Sequence, residues 1–205
     1  MIYLAPVAVI IGYVLGSFPT AYIIGRLRKG IDIRRVGSHN MGAMNVLGQV
    51  GVAEGILVLL VDAGKGIAAI LLARPLDMPQ GVELLVGAAA AVGHRFPVFV
   101  KFRGGKSGAI SVGMLFLLIP RAIPFYFGAT IAALLTTRHA PFSYITALIC
   151  FPFAGWFVYH SAVLLVFSLA LILFVVINHR STIEEIRQQG FRKAIMRRGV
   201  STLQK

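Results

Sequence analysis

Three polar segments interrupt an otherwise oily chain: GIDIRRVGSHNMGAMNVLG (Gly30–Gly48), GHRFPVFVKFRGGKSGA (Gly93–Ala109) and NHRSTIEEIRQQG (Asn178–Gly190). Their residue types point to one chemistry. Glycine lets a loop turn successive N–H groups toward one point, and such nests bind anions. In the first segment Gly37 provides that freedom, and Ser38, Asn40 and Asn45 add neutral donors. From Val36 to Gly48 there is no carboxylate to repel an anion. In the second, Gly104 and Gly105 precede Lys106, a mobile positive charge, and Ser107. In the third, His179 and Arg180 make a donor pair, the arginine suited to phosphate by its fork of N–H groups. A phosphate-bearing ligand fits all three.

Other chemistries are excluded by spacing. A phosphate-binding loop of the Walker type needs a glycine five positions before Gly105, where Val100 stands. A soluble-type acyltransferase would show a histidine with an aspartate five residues on; His179 is followed at that offset by Glu184, and the other histidines fail too. With 7 acidic residues and one cysteine, Cys150 in an apolar run, a carboxylate cage for a hard metal and an internal disulfide are not expected. No metal or cofactor is called for, and no general base is paired. Chemistry here must rest on positioning and charge stabilisation, or on the substrate's own groups. Asp62 and Lys65, three apart on one helix face, read either as a structural ion pair or as an anion site lined by Lys65 and oriented by Asp62. His94 reads as a structural hydrogen-bonding residue or a ligand contact.

The elements that must carry these segments follow from hydropathy. The chain is 58% hydrophobic and 13% charged, against about 25% charged for a soluble domain. Apolar runs recur at about 3–27, 51–73, 81–98, 108–119, 121–137, 142–158 and 160–178, with Pro120–Arg121 splitting one long run. The expected fold is all-α: a polytopic integral membrane protein of about seven transmembrane helices in a single domain over 1–205, with 179–205 a basic tail. The first run is too long for a signal peptide and is expected to be retained. With the N-terminus outside, all the Lys and Arg residues except Lys65, Arg74 and Arg121 fall inside, together with all three polar segments. The net charge of +13 is then mostly a cytoplasmic face toward anionic headgroups. Nucleic-acid binding is not expected.

These segments, with GSFPTAY (Gly16–Tyr22), DAGKG (Asp62–Gly66) and NHRSTI (Asn178–Ile183), resemble the PlsY family of bacterial acyl-phosphate:glycerol-3-phosphate acyltransferases, in order and along essentially the whole chain. The resemblance implies a seven-helix fold in the bacterial inner membrane, with the C-terminus and the motif loops cytoplasmic. It implies transfer of an acyl chain from acyl phosphate to the 1-hydroxyl of glycerol 3-phosphate, without metal, by a monomer. It places Ser38, Asn40, Lys106 and His179 in the chemistry. It places Arg34, Gly37, Asn45, Lys65, His94, Gly104, Gly105, Ser107, Arg180 and Thr182 in binding.

Departures from the family pattern are specific. His39 and Ser107 stand for glycines, Met44 for a threonine, Gly48 for an arginine and Thr182 for an asparagine. Pro141 and Tyr144 stand where the family carries serines. The donor cradle is kept and acceptor contacts are lost. Three readings follow: the family reaction on glycerol 3-phosphate, the same fold with a related phospho-alcohol as acceptor, or a non-enzymatic binder or transporter of an anionic lipid.

Overall fold

The computed structural model describes residues 2–76 and 78–184. The basic residues from Arg187 onward, which were counted with the inner face, lie outside the described residues. Among the described residues all regular structure is helical: α1 (Ala5–Ser17), α2 (Thr20–Lys29), α3 (Ala43–Gln49), α4 (Val52–Ala73), α5 (Gln80–Arg95), α6 (Gly108–Leu118), α7 (Ile123–Thr137), α8 (Ala140–Ala147), α9 (Cys150–Phe157) and α10 (Ala162–Asn178). The chain divides into two compact units, the first ending at Met114 and the second beginning at Leu115.

Among the described residues, four stretches are long and apolar enough to cross a bilayer: Ala5–Lys29, Val52–Ala73, Gln80–Val100 and Ala140–Phe157. Gly108–Leu118 with Pro120–Thr137 would make a fifth, broken at the proline, and Ala162–Asn178 is a shorter apolar helix. Length and composition thus support four to five crossings, against the seven expected. The difference lies in the short helices, whose 11–17 residues fall under the roughly 20 that a straight span needs.

In the first unit, helices approach through small residues, as they do where lipid offers no competing hydrophobic force. Gly12 lies against Val86, Gly16 against Ala90 and Gly93 against Tyr13, so α1 and α5 pack backbone to backbone. Gly66 meets Ile110 and Gly113 meets Ala63, which seats α6 on α4. A β-carbon at Gly16, Gly93 or Gly113 would collide with main-chain atoms. In the second unit, Phe116, Tyr126 and Phe151 form an aromatic cluster with ring centroids 5.4–6.0 Å apart.

The break between α1 and α2 sets up the interior of the first unit. Pro19 forces Phe18 out of the helical region (φ −58°, ψ 118°), and this frees the Phe18 carbonyl. Lys65 Nζ donates to that carbonyl at 2.6 Å and to Asp62 Oδ1 at 2.7 Å. Thr20 Oγ1 donates to the same carboxylate at 3.1 Å. Lys65 and Asp62 are both nearly fully buried. The structure therefore gives Lys65 interior partners, where one of the two sequence readings had it lining an anion site.

Removing one partner of a buried pair leaves an uncompensated charge, at a cost of about 3–5 kcal/mol. Asp62→Ala is therefore expected to lower the thermal midpoint in detergent strongly, and Asp62→Ala with Lys65→Met less strongly. An equal loss in both variants would mean the ion pair does not hold the break.

Candidate functional site

The first motif loop is built around two side chains. Asp32 starts a 3₁₀ turn at Ile33–Arg35 by accepting from the Arg34 amide at 3.0 Å. It also takes the Arg34 guanidinium in a fork, 2.9 Å to Oδ1 and 2.8 Å to Oδ2. The remaining arm of Arg34 donates to the Val100 carbonyl at 2.8 Å, and the guanidinium lies 4.8 Å from the centre of the Tyr22 ring. Arg34 thereby fastens the loop after α2 to the loop after α5. The guanidinium beside Asp32 holds that carboxyl down at about 2.

Asn45 is the second organiser. From the first turn of α3 its buried amide donates to the carbonyls of Ile33 (2.8 Å), Val36 (3.1 Å) and Asn40 (2.9 Å). Its oxygen accepts from the Ser38 amide at 3.0 Å. Both ends of the Asn45 side chain thus close the loop on itself. Gly37 is left-handed (φ 59°) and packs against Asn45 and Gln49 where a β-carbon would stand. What the loop turns outward is Ser38 and His39, both exposed, with Asn40 half-buried.

The second loop folds back on α5. The Gly105 amide donates to the His94 carbonyl at 3.0 Å and the Gly104 amide to the Arg95 carbonyl at 3.2 Å. Those two N–H groups are spent inside the chain, so the expected glycine nest does not form from them. The glycines serve a different end: a β-carbon at Gly104 would strike the His94 and Arg95 carbonyls, and one at Gly105 the His94 ring and the Met41 carbonyl. Met41 belongs to the first loop, so the two motif loops are in contact at Gly105. His94 is buried beneath it, its Nδ1 at 3.9 Å from Asp62 Oδ1. Lys106, half-buried, follows directly and leads into α6. The first amides of a helix have no acceptor within it, and its N-terminus carries partial positive charge.

The two glycine replacements are explained here. His39 (φ 55°) and Ser107 (φ 60°) both occupy left-handed backbone, which costs a non-glycine residue about 1 kcal/mol. Ser107 is buried and recovers part of that through Oγ donating to the Ala91 carbonyl at 2.8 Å. His39 is exposed.

The second unit carries the remaining sequence-picked residues. His179 is buried, with Nε2 at 2.6 Å from Tyr144 Oη and Nδ1 at 2.8 Å from the Val175 carbonyl. Thr182 is buried and donates its amide to the His179 carbonyl at 2.8 Å; Arg180 is exposed. His179 and Arg180 thus differ in exposure, the first buried and the second exposed. Tyr144 entered the sequence reading only as a departure. The usable signal was a buried-helix hydroxyl available to a histidine that needs a partner.

Two outcomes test this geometry. Asp32 has a depressed carboxyl, so its contribution is complete above its unfolded value of about 3.9 and disappears as pH falls toward about 2. The wild-type thermal midpoint should fall across that window by more than that of Asp32→Asn; parallel curves would remove the clamp. Separately, His39→Gly should raise the midpoint, by about 1 kcal/mol of stability. Ser107→Gly, which also loses a hydrogen bond, should change it little. The reverse order would contradict the strain assignment.

Comparison with known proteins agrees with this architecture. The family described as Glycerol-3-phosphate acyltransferase matches residues 6–189. Glycerol-3-phosphate acyltransferase 2 of Dehalococcoides mccartyi is 40% identical over 90% of this chain and 88% of its own length. The glycerol-3-phosphate acyltransferase of Desulforudis audaxviator is 42% identical over 86% of this chain and 88% of its own. The crystal structure of PlsY (YgiH), an integral membrane glycerol 3-phosphate acyltransferase in its glycerol 3-phosphate form, superposes with a TM-score of 0.83 at 31% identity, covering 91% of this chain and 93% of that one. Its lysophosphatidic acid form gives 0.80 at 32% identity over the same shares. The chain belongs to the glycerol-3-phosphate acyltransferase family, whose members are integral membrane acyltransferases.

Proposed function

We propose that this membrane acyltransferase moves a fatty acyl chain from acyl phosphate to the 1-hydroxyl of glycerol 3-phosphate, giving lysophosphatidic acid and inorganic phosphate. The observation that carries the reading is that Lys106, two residues before α6, directly follows Gly105, which packs against Met41 of the first motif loop. The solved relative with glycerol 3-phosphate and lysophosphatidic acid forms supports the same substrate and product for this chain.

The acceptor oxygen attacks the acyl carbonyl carbon as the bond from that carbon to the phosphate oxygen breaks. Negative charge gathers on the departing phosphate. Lys106 opposes that charge, and the Ser38 hydroxyl and Asn40 amide donate to its oxygens. The hydroxyl proton leaves with the phosphate, so no paired protein base is required. Gly37, Gly104, Gly105 and Ser107 shape the loops. Arg34 and Asn45 position them, and His94 and Lys65 support them from inside. Within the second unit, His179, Arg180 and Thr182 are the binding residues of this reading. The chain works as a monomer in the bacterial inner membrane, N-terminus outside, with the motif loops and the C-terminus in the cytoplasm.

A second reading changes the acceptor only. Met44 is half-exposed and Gly48 exposed, where a threonine and an arginine would otherwise bind. That loss suits a phospho-alcohol with fewer charge contacts than glycerol 3-phosphate.

Purified protein given palmitoyl phosphate and glycerol 3-phosphate should release phosphate and form lysophosphatidic acid. Lys106→Ala should lower kcat/KM by about 100-fold, the scale seen when one charge-stabilising donor is lost. Turnover with another phospho-alcohol alone would select the second reading. No turnover on any acceptor, with Lys106→Ala indistinguishable from wild type, would overturn both.

A further inference from the structure

We infer that Tyr144 is a positioning residue for His179 that fixes the imidazole as a neutral ring, its one N–H on Nδ1, and makes this corner of the second unit a hydrogen-bond acceptor for a hydroxyl. Nδ1 lies 2.8 Å from the Val175 carbonyl, which can only accept, so Nδ1 carries a proton. In a neutral imidazole the other nitrogen is then an acceptor. Tyr144 Oη lies 2.6 Å away, and against that neutral ring it is the donor. The rings stand edge to face, 5.8 Å apart at 78°, so the phenol is held by ring contact as well as by its hydrogen bond.

The elements explain why the pair forms. Val175 lies one turn before His179 at the end of α10, and the imidazole folds back on it. Tyr144 reaches across from α8, which begins where the buried His139 side chain accepts from the Phe142 amide and so caps the helix. A serine on the same backbone would stop well short of the imidazole. The contact therefore belongs to the tyrosine in particular, at a position where the sequence pattern of the family carries serine.

The pairing has a consequence for recognition. With its proton given to Nε2, the phenol oxygen presents lone pairs. Lone pairs repel a phosphate oxygen and accept an alcohol O–H. The Tyr144–His179 pair thus suits the hydroxyl end of a phospho-alcohol rather than its phosphate. The substrate assignment rests on the acyltransferase reading above. The tautomer and the Tyr144 bond do not.

The test uses the full chain, labelled with ¹⁵N-histidine, in lipid nanodiscs near neutral pH. The His179 ring signals are assigned by their loss in His179→Gln. The expected spectrum is a neutral ring protonated at Nδ1, with Tyr144→Phe shifting the Nε2 signal. In the palmitoyl phosphate and glycerol 3-phosphate assay, Tyr144→Phe should lower kcat by about 10-fold, the scale of a small misplacement, with KM for palmitoyl phosphate within about twofold. An imidazolium or an Nε2-protonated ring in the wild type overturns the inference without any variant. So does Tyr144→Phe with His179 signals or kcat unchanged. If the wild type fails to turn over, the acyltransferase reading fails while the spectrum still decides the Tyr144 bond.

Discussion

Backbone polar groups at the edge of a membrane must find partners before a loop can aim anything at a ligand. That constraint governs the first unit. The Ser38–Asn40 loop has no regular structure to satisfy it, so Asn45 does the work of a ladder, binding three carbonyls and one amide. The Gly104–Gly105 pair solves the same problem by returning its amides to the carbonyls at the end of α5. Arg34 then ties one solution to the other through the Val100 carbonyl. The Ser38 hydroxyl, the Asn40 side chain and Lys106, which the proposed reaction uses, stand on the loops so fastened.

The same economy runs through the interior. A proline break frees a carbonyl at Phe18, and a buried lysine answers it. That lysine needs a counter-charge, which Asp62 provides with Thr20 beside it. His94 lies next to this cluster and under Gly105. A chain of contacts therefore runs from the α1–α2 break to the residue preceding Lys106. Small residues on α1, α4, α5 and α6 allow the close helix approach that the chain of contacts requires.

Much of this was legible in the sequence. Membrane class and helical content follow from hydropathy and from Gly, Pro and charge placement. That GSHN and GGKS lie on loops in contact, through Gly105 and Met41, is a structural result that residue type alone does not give. Three further things did not follow. The number of full crossings depends on whether short helices such as Gly108–Leu118 pair across a break, and hydropathy cannot see the break's geometry. Whether glycine amides face a ligand or the chain depends on how the loop folds back on the helix before it, here onto the His94 and Arg95 carbonyls. The roles of Asn45, Arg34 and Tyr144 depend on side-chain bonds over up to 66 residues of separation, which no local pattern records.

The central claim is that Ser38 and Lys106, from two separate loops, act on one phosphate. A double-mutant cycle on kcat/KM with palmitoyl phosphate, using Ser38→Ala, Lys106→Ala and the pair, tests it most directly. Groups on one phosphate act as a unit, so the double variant should lose clearly less than the product of the two single losses. Losses that multiply cleanly, or a Ser38→Ala variant with wild-type activity, would contradict the account.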